Sequence, residues 1–239
     1  MKSNVFVTGD THGECSPKFS PTFMSNSTKT KYTDLTKNDY MIITGDAGPC
    51  WNNSDDDKFF QDWLSKKPWT TLFCDGNHEG FHILNKYPVT EWHGGKVHMI
   101  TPSIIHLMRG QIYEINNETY FVMGGATSID RHRRIPGVSW WPEELPSMEE
   151  YKEAENNLKK HNYKVDYVIS HCCSSRTQYK IDRSFSRDSL TDWFNDLEAQ
   201  LEYKHWYFGH YHFDETLDDK HTCLYDTVIR IGDTIKTID

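Results

Sequence analysis

Five short stretches hold side chains able to do chemistry together: Gly9-Asp10-Thr11-His12-Gly13, Gly45-Asp46-Ala47-Gly48, Gly76-Asn77-His78-Glu79, His171 alone, and Gly209-His210-Tyr211-His212. Their donors are carboxylate and amide oxygens and imidazole nitrogens. That palette suits Mn²⁺, Fe or Zn²⁺ and disfavours soft-metal sites built on thiolates. A histidine after a strand is ordinarily a hydrogen-bonded loop residue, and G-N-H-E by itself reads as a turn with a capping Asn. Five recurrences of Asp, Asn and His after five separate apolar runs read instead as one site.

The runs that deliver them are short and rich in β-branched and aromatic residues: 4–8, 40–44, 70–74, 165–170 and 205–208. Each breaks at a glycine or a polar ligand type, as a strand leaving a buried sheet does. The carboxyl ends of strands in an α/β sheet face the crevice where ligands bind. Between the second and third runs, residues 54–66 fit a helix, with Ser54 and three Asp at its start and Phe59, Phe60, Trp63 and Leu64 on one face. This alternation predicts parallel strands joined by right-handed crossovers. Residues 15–36, rich in Ser, Thr, Lys and Pro, read as a long loop with at most one short helical turn, and 80–95 as a connector ending in a turn at Gly94-Gly95. Runs near 96–100, 103–108, 111–115 and 119–123, with Asn116-Asn117 as a hairpin turn, predict an antiparallel portion and hence mixed sheets. Helices are expected over 149–161, capped by Ser147, and over 189–201, with Leu190, Trp193, Phe194, Leu197 and Leu201 as the apolar stripe. The stretch 174–186 reads as a polar loop, and terminal strands are expected at about 222–230 and 234–238.

The order D-x-H, G-D-x-G, G-N-H-E, lone His, G-H-x-H resembles the calcineurin-like metallophosphoesterase superfamily from Asp10 to His212. Within it the chain looks most like small bacterial and phage metallophosphoesterases, through His106-Leu107-Met108-Arg109-Gly110-Gln111, Gly124-Gly125-Ala126-Thr127-Ser128-Ile129-Asp130-Arg131 and Ser139-Trp140-Trp141-Pro142-Glu143-Glu144. The resemblance implies an α/β four-layer sandwich, two mixed β-sheets flanked by helices, in one domain over residues 1–239. It implies that Asp10, His12 and His212 hold one divalent or transition-metal ion, that Asn77, His171 and His210 hold another, and that Asp46 bridges them through its two oxygens. Two such ions about 3.5–4 Å apart clamp a phosphoryl oxygen and acidify a bound water, making hydroxide available for in-line attack. His78 would then protonate the leaving group, oriented by Glu79 or Asp75. The implied reaction is hydrolysis of a phosphomonoester or phosphodiester, with a phosphorylated small molecule or nucleotide as substrate.

The sequence departs from the protein Ser/Thr phosphatases of that superfamily. Their second block continues G-D-x-V-D-R-G, whereas here it reads Gly45-Asp46-Ala47-Gly48-Pro49-Cys50-Trp51, and their G-H-T is replaced by Gly209-His210-Tyr211-His212. A phosphodiesterase or small-molecule phosphatase gains from this. Arg109, Arg131, Arg133 and Arg134 are candidates for gripping phosphate oxygens, with Trp140 or Trp141 as a stacking surface. The competing reading of the same residues is a solvated basic loop and two core tryptophans.

A length of 239 residues suits one α/β domain with a sizeable core. Apolar content is 36% and mean hydropathy −0.74, yet 14% aromatic residues supply bulky core material. A net charge of −9 weighs against long nucleic acid and anionic membrane surfaces as partners, and hence against a nuclease. A catalytically silent scaffold of the same fold would be expected to lose ligands, and every ligand position here carries a competent side chain. Six cysteines without C-x-x-C spacing, no apolar run of transmembrane length, and a start at Met1-Lys2-Ser3 leading straight into a strand point to a reduced, cytoplasmic chain.

Overall fold

The computed structural model describes residues 2–235. Its strands are β1 (Val5–Thr8), β2 (Tyr40–Ile43), β3 (Thr70–Phe73), β4 (Val89–Trp92), β5 (Gly95–Thr101), β6 (Ile104–Leu107), β7 (Gln111–Ile115), β8 (Glu118–Met123), β9 (Tyr167–Ser170), β10 (His205–Phe208), β11 (Glu215–Asp218), β12 (His221–Cys223) and β13 (Val228–Arg230). The helices are α1 (Pro21–Thr28), α2 (Asp55–Ser65), α3 (Phe81–Leu84), α4 (Met148–Lys160), α5 (Ser175–Ile181) and α6 (Ser189–Glu198). The strands form a seven-stranded sheet, β13-β1-β2-β3-β6-β5-β4, and a six-stranded sheet, β11-β12-β10-β9-β8-β7. Both are mixed: β1, β2, β3 and β6 run parallel in the first, and β8, β9, β10 and β12 in the second.

Strand periodicity explains the layering. Val5, Val7, Ile42 and Leu72 of the first sheet face Tyr120, Val122, Tyr167, Ile169 and Tyr207 of the second. The alternate residues Phe6, Met41, Ile43 and Phe73 turn outward onto Met24 of α1 and Phe60 and Leu64 of α2. On the far side, Phe121, Val168, Trp206 and Phe208 pack against Ala154 and Leu158 of α4 and Leu190 and Phe194 of α6. Successive side chains point to opposite faces of a strand, so one apolar run per strand fills two cores. The result is helix, sheet, sheet, helix.

Local signals set the helix starts. Ser54 accepts from the Asp57 N–H ahead of three acidic residues in α2. Ser147 and Glu150 form a reciprocal capping box on α4, and Asp188 and Thr191 form another on α6. Asn116 and Asn117 both take positive φ (57° and 64°) in the β7–β8 hairpin.

Several expectations need correction. Residues 15–36 are not loop: Ser20 caps α1, which packs on β13 between two short 3₁₀ turns. The 80–95 connector contains α3 and the edge strand β4, and the polar 174–186 stretch contains α5. Phe59 is 66% exposed, so the buried face of α2 is Phe60 and Leu64 without it. The expected strand at 222–230 divides: β12 belongs to the second sheet and β13 to the first, and the polar β11 pairs with β12. Of the expected 234–238 strand, Thr234 and Ile235 are not in a strand, and the remainder lies outside the described residues. All six cysteines are unpaired. Among the described residues no helix is long and apolar enough to cross a membrane.

Candidate metal centre

The carboxyl ends of β1, β2 and β3 from one sheet meet those of β9 and β10 from the other. The structure brings together all seven residues expected to hold metal there. Asp10, His12 and His212 form one group of donors within coordinating distance, and Asp10, Asp46 and His171 form a second. His212 Nε2 stands 3.2 Å from Asp10 Oδ2 and 3.2 Å from His12 Nε2. His171 Nε2 is 3.1 Å from Asn77 Oδ1 and 3.4 Å from Asp46 Oδ2. The His210 ring sits edge-on to His171, centroids 5.0 Å apart.

The backbone is bent to achieve this. His12, Asp46, His210 and His212 all adopt positive φ, between 48° and 69°. Such conformations cost of order 1–3 kcal/mol each in non-glycine residues and cluster at functional sites. Two glycines allow the chain to press against the carboxylates: a Cβ on Gly76 would lie 2.0 Å from Asp46 Oδ1, and one on Gly209 would lie 2.3 Å from Asp10 Oδ1.

The donor set fits cations. His171 Nδ1 is 2.8 Å from the Thr44 carbonyl, an acceptor, so that nitrogen carries the proton. In the neutral ring Nε2 then turns a bare lone pair towards the oxygens of Asn77 and Asp46. Lone pairs facing one another call for a positive charge among them, a proton on Nε2 in the metal-free site or a cation in its place. Asp10 Oδ2 is buried with no aligned hydrogen bond. Asp46 Oδ1 accepts the His78 N–H at 2.6 Å, while Oδ2 lies towards both His171 and His12.

Charge coupling follows the same geometry. Burial alone would lower the His171 pKa, but the Asp46 and Asp10 carboxylates outweigh it and push the imidazole up to about 10. Burial would raise the Asp46 carboxyl, and His171, His78 and His12 hold it below its ordinary range instead. His210, buried beside cationic His171, falls to about 3. Burial, with Asp46 nearby, holds Glu79 well above the usual carboxylate range, and the Glu79 Oε1 accepts from the Ala47 N–H at 2.9 Å.

His78 borders the pocket, but neither expected carboxylate orients it. Glu79 is committed to the Ala47 turn, and Asp75 to Arg109 and His106. Arg134 takes that place: its Nη1 and Nη2 lie 3.1 and 3.2 Å from the two His78 ring nitrogens, and its Nε donates to Asp130 at 2.6 Å. Burial, and then Arg134 among the neighbouring charges, lower the His78 pKa. Arg131 and Arg133 are exposed on a 3₁₀ turn.

Arg109 is not a substrate contact. It is buried, donating from Nε to Asp75 Oδ2 at 2.7 Å and from Nη2 to the Glu143 carbonyl at 2.7 Å. Trp141 is also core, wedged between Trp51 and His82, and Trp140 is half-buried. Residues the sequence did not single out matter as well. Lys18 is buried and donates to the carbonyls of Gly9 at 3.0 Å and Asp10 at 2.7 Å, so the 15–36 segment braces the first ligand loop. Burial brings its ammonium pKa down to about 8. Nothing in its local sequence distinguishes Lys18 from a solvated lysine.

A family model described as calcineurin-like phosphoesterase matches residues 3–214. The chain belongs to that family. Two mixed sheets between helical layers are the α/β sandwich of a calcineurin-like phosphoesterase, and the Asp/His clusters at their seam are candidate metal-binding groups. The family is one of metal-dependent phosphoester hydrolases. No curated protein matches the chain.

Proposed function

We propose that this calcineurin-like phosphoesterase hydrolyses small phosphomonoesters or phosphodiesters, nucleotides among them, with two cations held at the sheet seam. The supporting observation is the convergence of Asp10, His12, Asp46, Asn77, His171, His210 and His212, with donor atoms of His12 and His212, of Asn77 and His171, and of His171 and Asp46 3.1–3.4 Å apart. Asp10, His12 and His212 would hold one cation, Asn77, His171 and His210 the other, and Asp46 Oδ2 would face both. Mn, Fe or Zn suits these donors. When bound, such a pair supplies Lewis acidity and a water that deprotonates near neutral pH.

The chain's own residues do the rest. The His78 N–H fixes Asp46 Oδ1, so one residue both orients the shared carboxylate and presents an imidazole to the pocket. Arg134 meets phosphoryl oxygens as a forked donor. Its guanidinium disfavours imidazolium at His78 while the pocket lacks an anion. A phosphate neutralises it and frees His78 to hold the proton that the leaving oxygen needs.

The pocket around Asp46, Asn77, His78 and Arg134 has a volume of about 380 Å³. A second pocket of about 300 Å³, lined by Arg131 and Gln178, shares Ser128, Ile129, Phe185 and His210 with it. This annex suits the remainder of a small ester. Pockets of this size and a net charge of −9 do not suit a long polyanion.

The test is a Mn²⁺-supplemented panel of aryl monoester, aryl diester, cyclic nucleotide, phosphopeptide and single-stranded DNA. Chelator-sensitive turnover of the small esters is expected. Arg131→Glu should raise KM for a nucleotide and leave an aryl phosphate nearly unchanged. Turnover of no panel member by metal-loaded protein would favour a silent scaffold, and preference for DNA would favour a nuclease.

A further inference from the structure

The 126–146 segment enters the metal centre from behind. Asn77 Nδ2 donates to Ser128 Oγ at 3.1 Å. Ser128 Oγ donates to Glu144 Oε1 at 2.7 Å, and the Ser128 N–H donates to Glu144 Oε2 at 3.0 Å. All three residues are buried: Asn77 is 4% exposed, Ser128 2% and Glu144 2%. Among the described residues Glu144 forms no ion pair with an arginine, and it lines neither pocket at the metal centre.

We propose that Glu144 is a positioning residue that fixes the orientation of the Asn77 amide through Ser128, and thereby selects a neutral side chain at this ligand position. The reasoning is one of donor and acceptor polarity. An ionised carboxylate only accepts, so the single hydroxyl proton of Ser128 is committed to Glu144. The Ser128 oxygen then has only lone pairs left for residue 77, and the NH₂ end of the Asn77 amide must face it. The carbonyl end is thereby turned towards His171 and Asp46, where the 3.1 Å contact to His171 Nε2 is found. A reversed amide would point two N–H donors at the cation position. A carboxylate in place of that amide would set an anionic oxygen against the Ser128 lone pairs. The role of Asn77 as a ligand belongs to the proposed function, and this inference rests on it. The hydrogen-bonded chain itself does not, because it runs between protein atoms alone.

The decisive experiment is a double-mutant cycle on the metal-free protein, read by Mn²⁺ titration calorimetry. In Glu144→Gln the amide oxygen keeps the Ser128 N–H, so its NH₂ donates to Ser128 Oγ. The hydroxyl proton is released towards residue 77. In the wild-type background this should reverse the Asn77 amide and weaken one of two Mn²⁺ sites about 10–100-fold, as expected for loss of the partner that orients a ligand. In the Asn77→Asp background the same change gives the introduced carboxylate a donor, so Glu144→Gln should strengthen Mn²⁺ binding. Opposite signs in the two backgrounds support the inference, and the same sign in both, or no change in either, overturns it. Ser128→Ala is the second variant, with Ser128→Thr restoring the hydroxyl. Independently of metal, the Asn77 side-chain amide protons should be protected from exchange in the wild type and lose that protection in Ser128→Ala. Failure of the wild type to bind Mn²⁺ would remove Asn77 as a ligand, whereas unprotected Asn77 protons would remove the chain.

Discussion

Replacing Arg109 by Met separates a structural brace from a substrate contact. In the folded protein the Arg109 guanidinium meets Asp75 through Nε and Nη2 and donates to the Glu143 carbonyl, with its side chain 4% exposed and that of Asp75 3%. Burial would raise the Asp75 carboxyl, but Arg109 and then His106 hold it below its ordinary range. Met fills most of the stem volume and removes the charge. What remains is a buried carboxylate with only His106 beside it at 3.1 Å and a carbonyl without its donor. Deleting one partner of a buried ion pair costs about 3–5 kcal/mol, and an orphaned acceptor adds about 1 kcal/mol. Against a total stability of about 5–15 kcal/mol, a loss of about 4–6 kcal/mol is a large fraction. Urea unfolding of metal-free wild type, Arg109→Met, Asp75→Asn and the double variant at pH 7 measures it. Because adding Asp75→Asn to Arg109→Met leaves neither charge of the buried pair behind, the double variant should be no less stable than Arg109→Met alone. The folded fraction of Arg109→Met should keep its KM. A loss below about 1 kcal/mol together with a raised KM would refute the brace and return Arg109 to the substrate.

Three other outcomes are expected. Asp46→Asn should lose turnover together with tight binding of the cation pair, because an amide cannot supply the shared anionic oxygen; full metal content at wild-type rate would sink the assignment. His78→Gln should keep both cations and slow esters with alkoxide leaving groups by about 10²–10⁴-fold while sparing aryl esters. Parallel plots of log kcat against leaving-group pKa for the two enzymes would withdraw the proton-donor role. Burial, and then His106, hold the His98 pKa down at about 4, so between the ordinary histidine value and that pH the unfolded chain takes up a proton that folded His98 refuses. Its contribution is therefore fully present above about pH 6.5 and is lost on acidification, to a limit of about 3 kcal/mol. Urea midpoints from pH 7 to 4.5 should fall less steeply in His98→Phe, and coincident slopes would exclude the effect.

The site was legible because its donors sit at strand ends, and the strands announce themselves as short apolar runs cut off by glycine. Gly9, Gly45, Gly76 and Gly209 mark four of the five junctions in the sequence itself. What was illegible is long-range or locally bland. α1 reads Pro-Thr-Phe-Met-Ser-Asn-Ser-Thr, poor in helix formers, and its buried residues are Met24 and Thr28. It forms because Ser20 caps it and β13 receives it. Phe59 looked buried because four large apolar residues crowd positions 59–64, more than one helix face can cover. Arg109 resembled a phosphate ligand until folding placed Asp75 beside it, 34 positions away. Arg134 meets His78 across 56 residues, and Glu144 meets Asn77 through Ser128. No local pattern encodes such pairings, since they are decided by which loops the two sheets bring together.

The seam between the sheets also sets a sequence of events. Asp10, His12, Asp46 and Asn77 hang from the first sheet, His171, His210 and His212 from the second. Neither sheet owns all of either candidate donor group, and β13, at residues 228–230, must return to pair with β1 before the first sheet is whole. A chain emerging from the ribosome therefore passes most of its synthesis with donors but no chelate. Cation capture by such groups would be a late event that follows docking of the two halves. A cation held by either group would be coordinated across the join, so prying the sheets apart would mean pulling metal–ligand bonds as well as separating apolar faces. Loading would convert a packed interface into a riveted one, and mechanical or thermal splitting of the two halves should then become coupled to metal release.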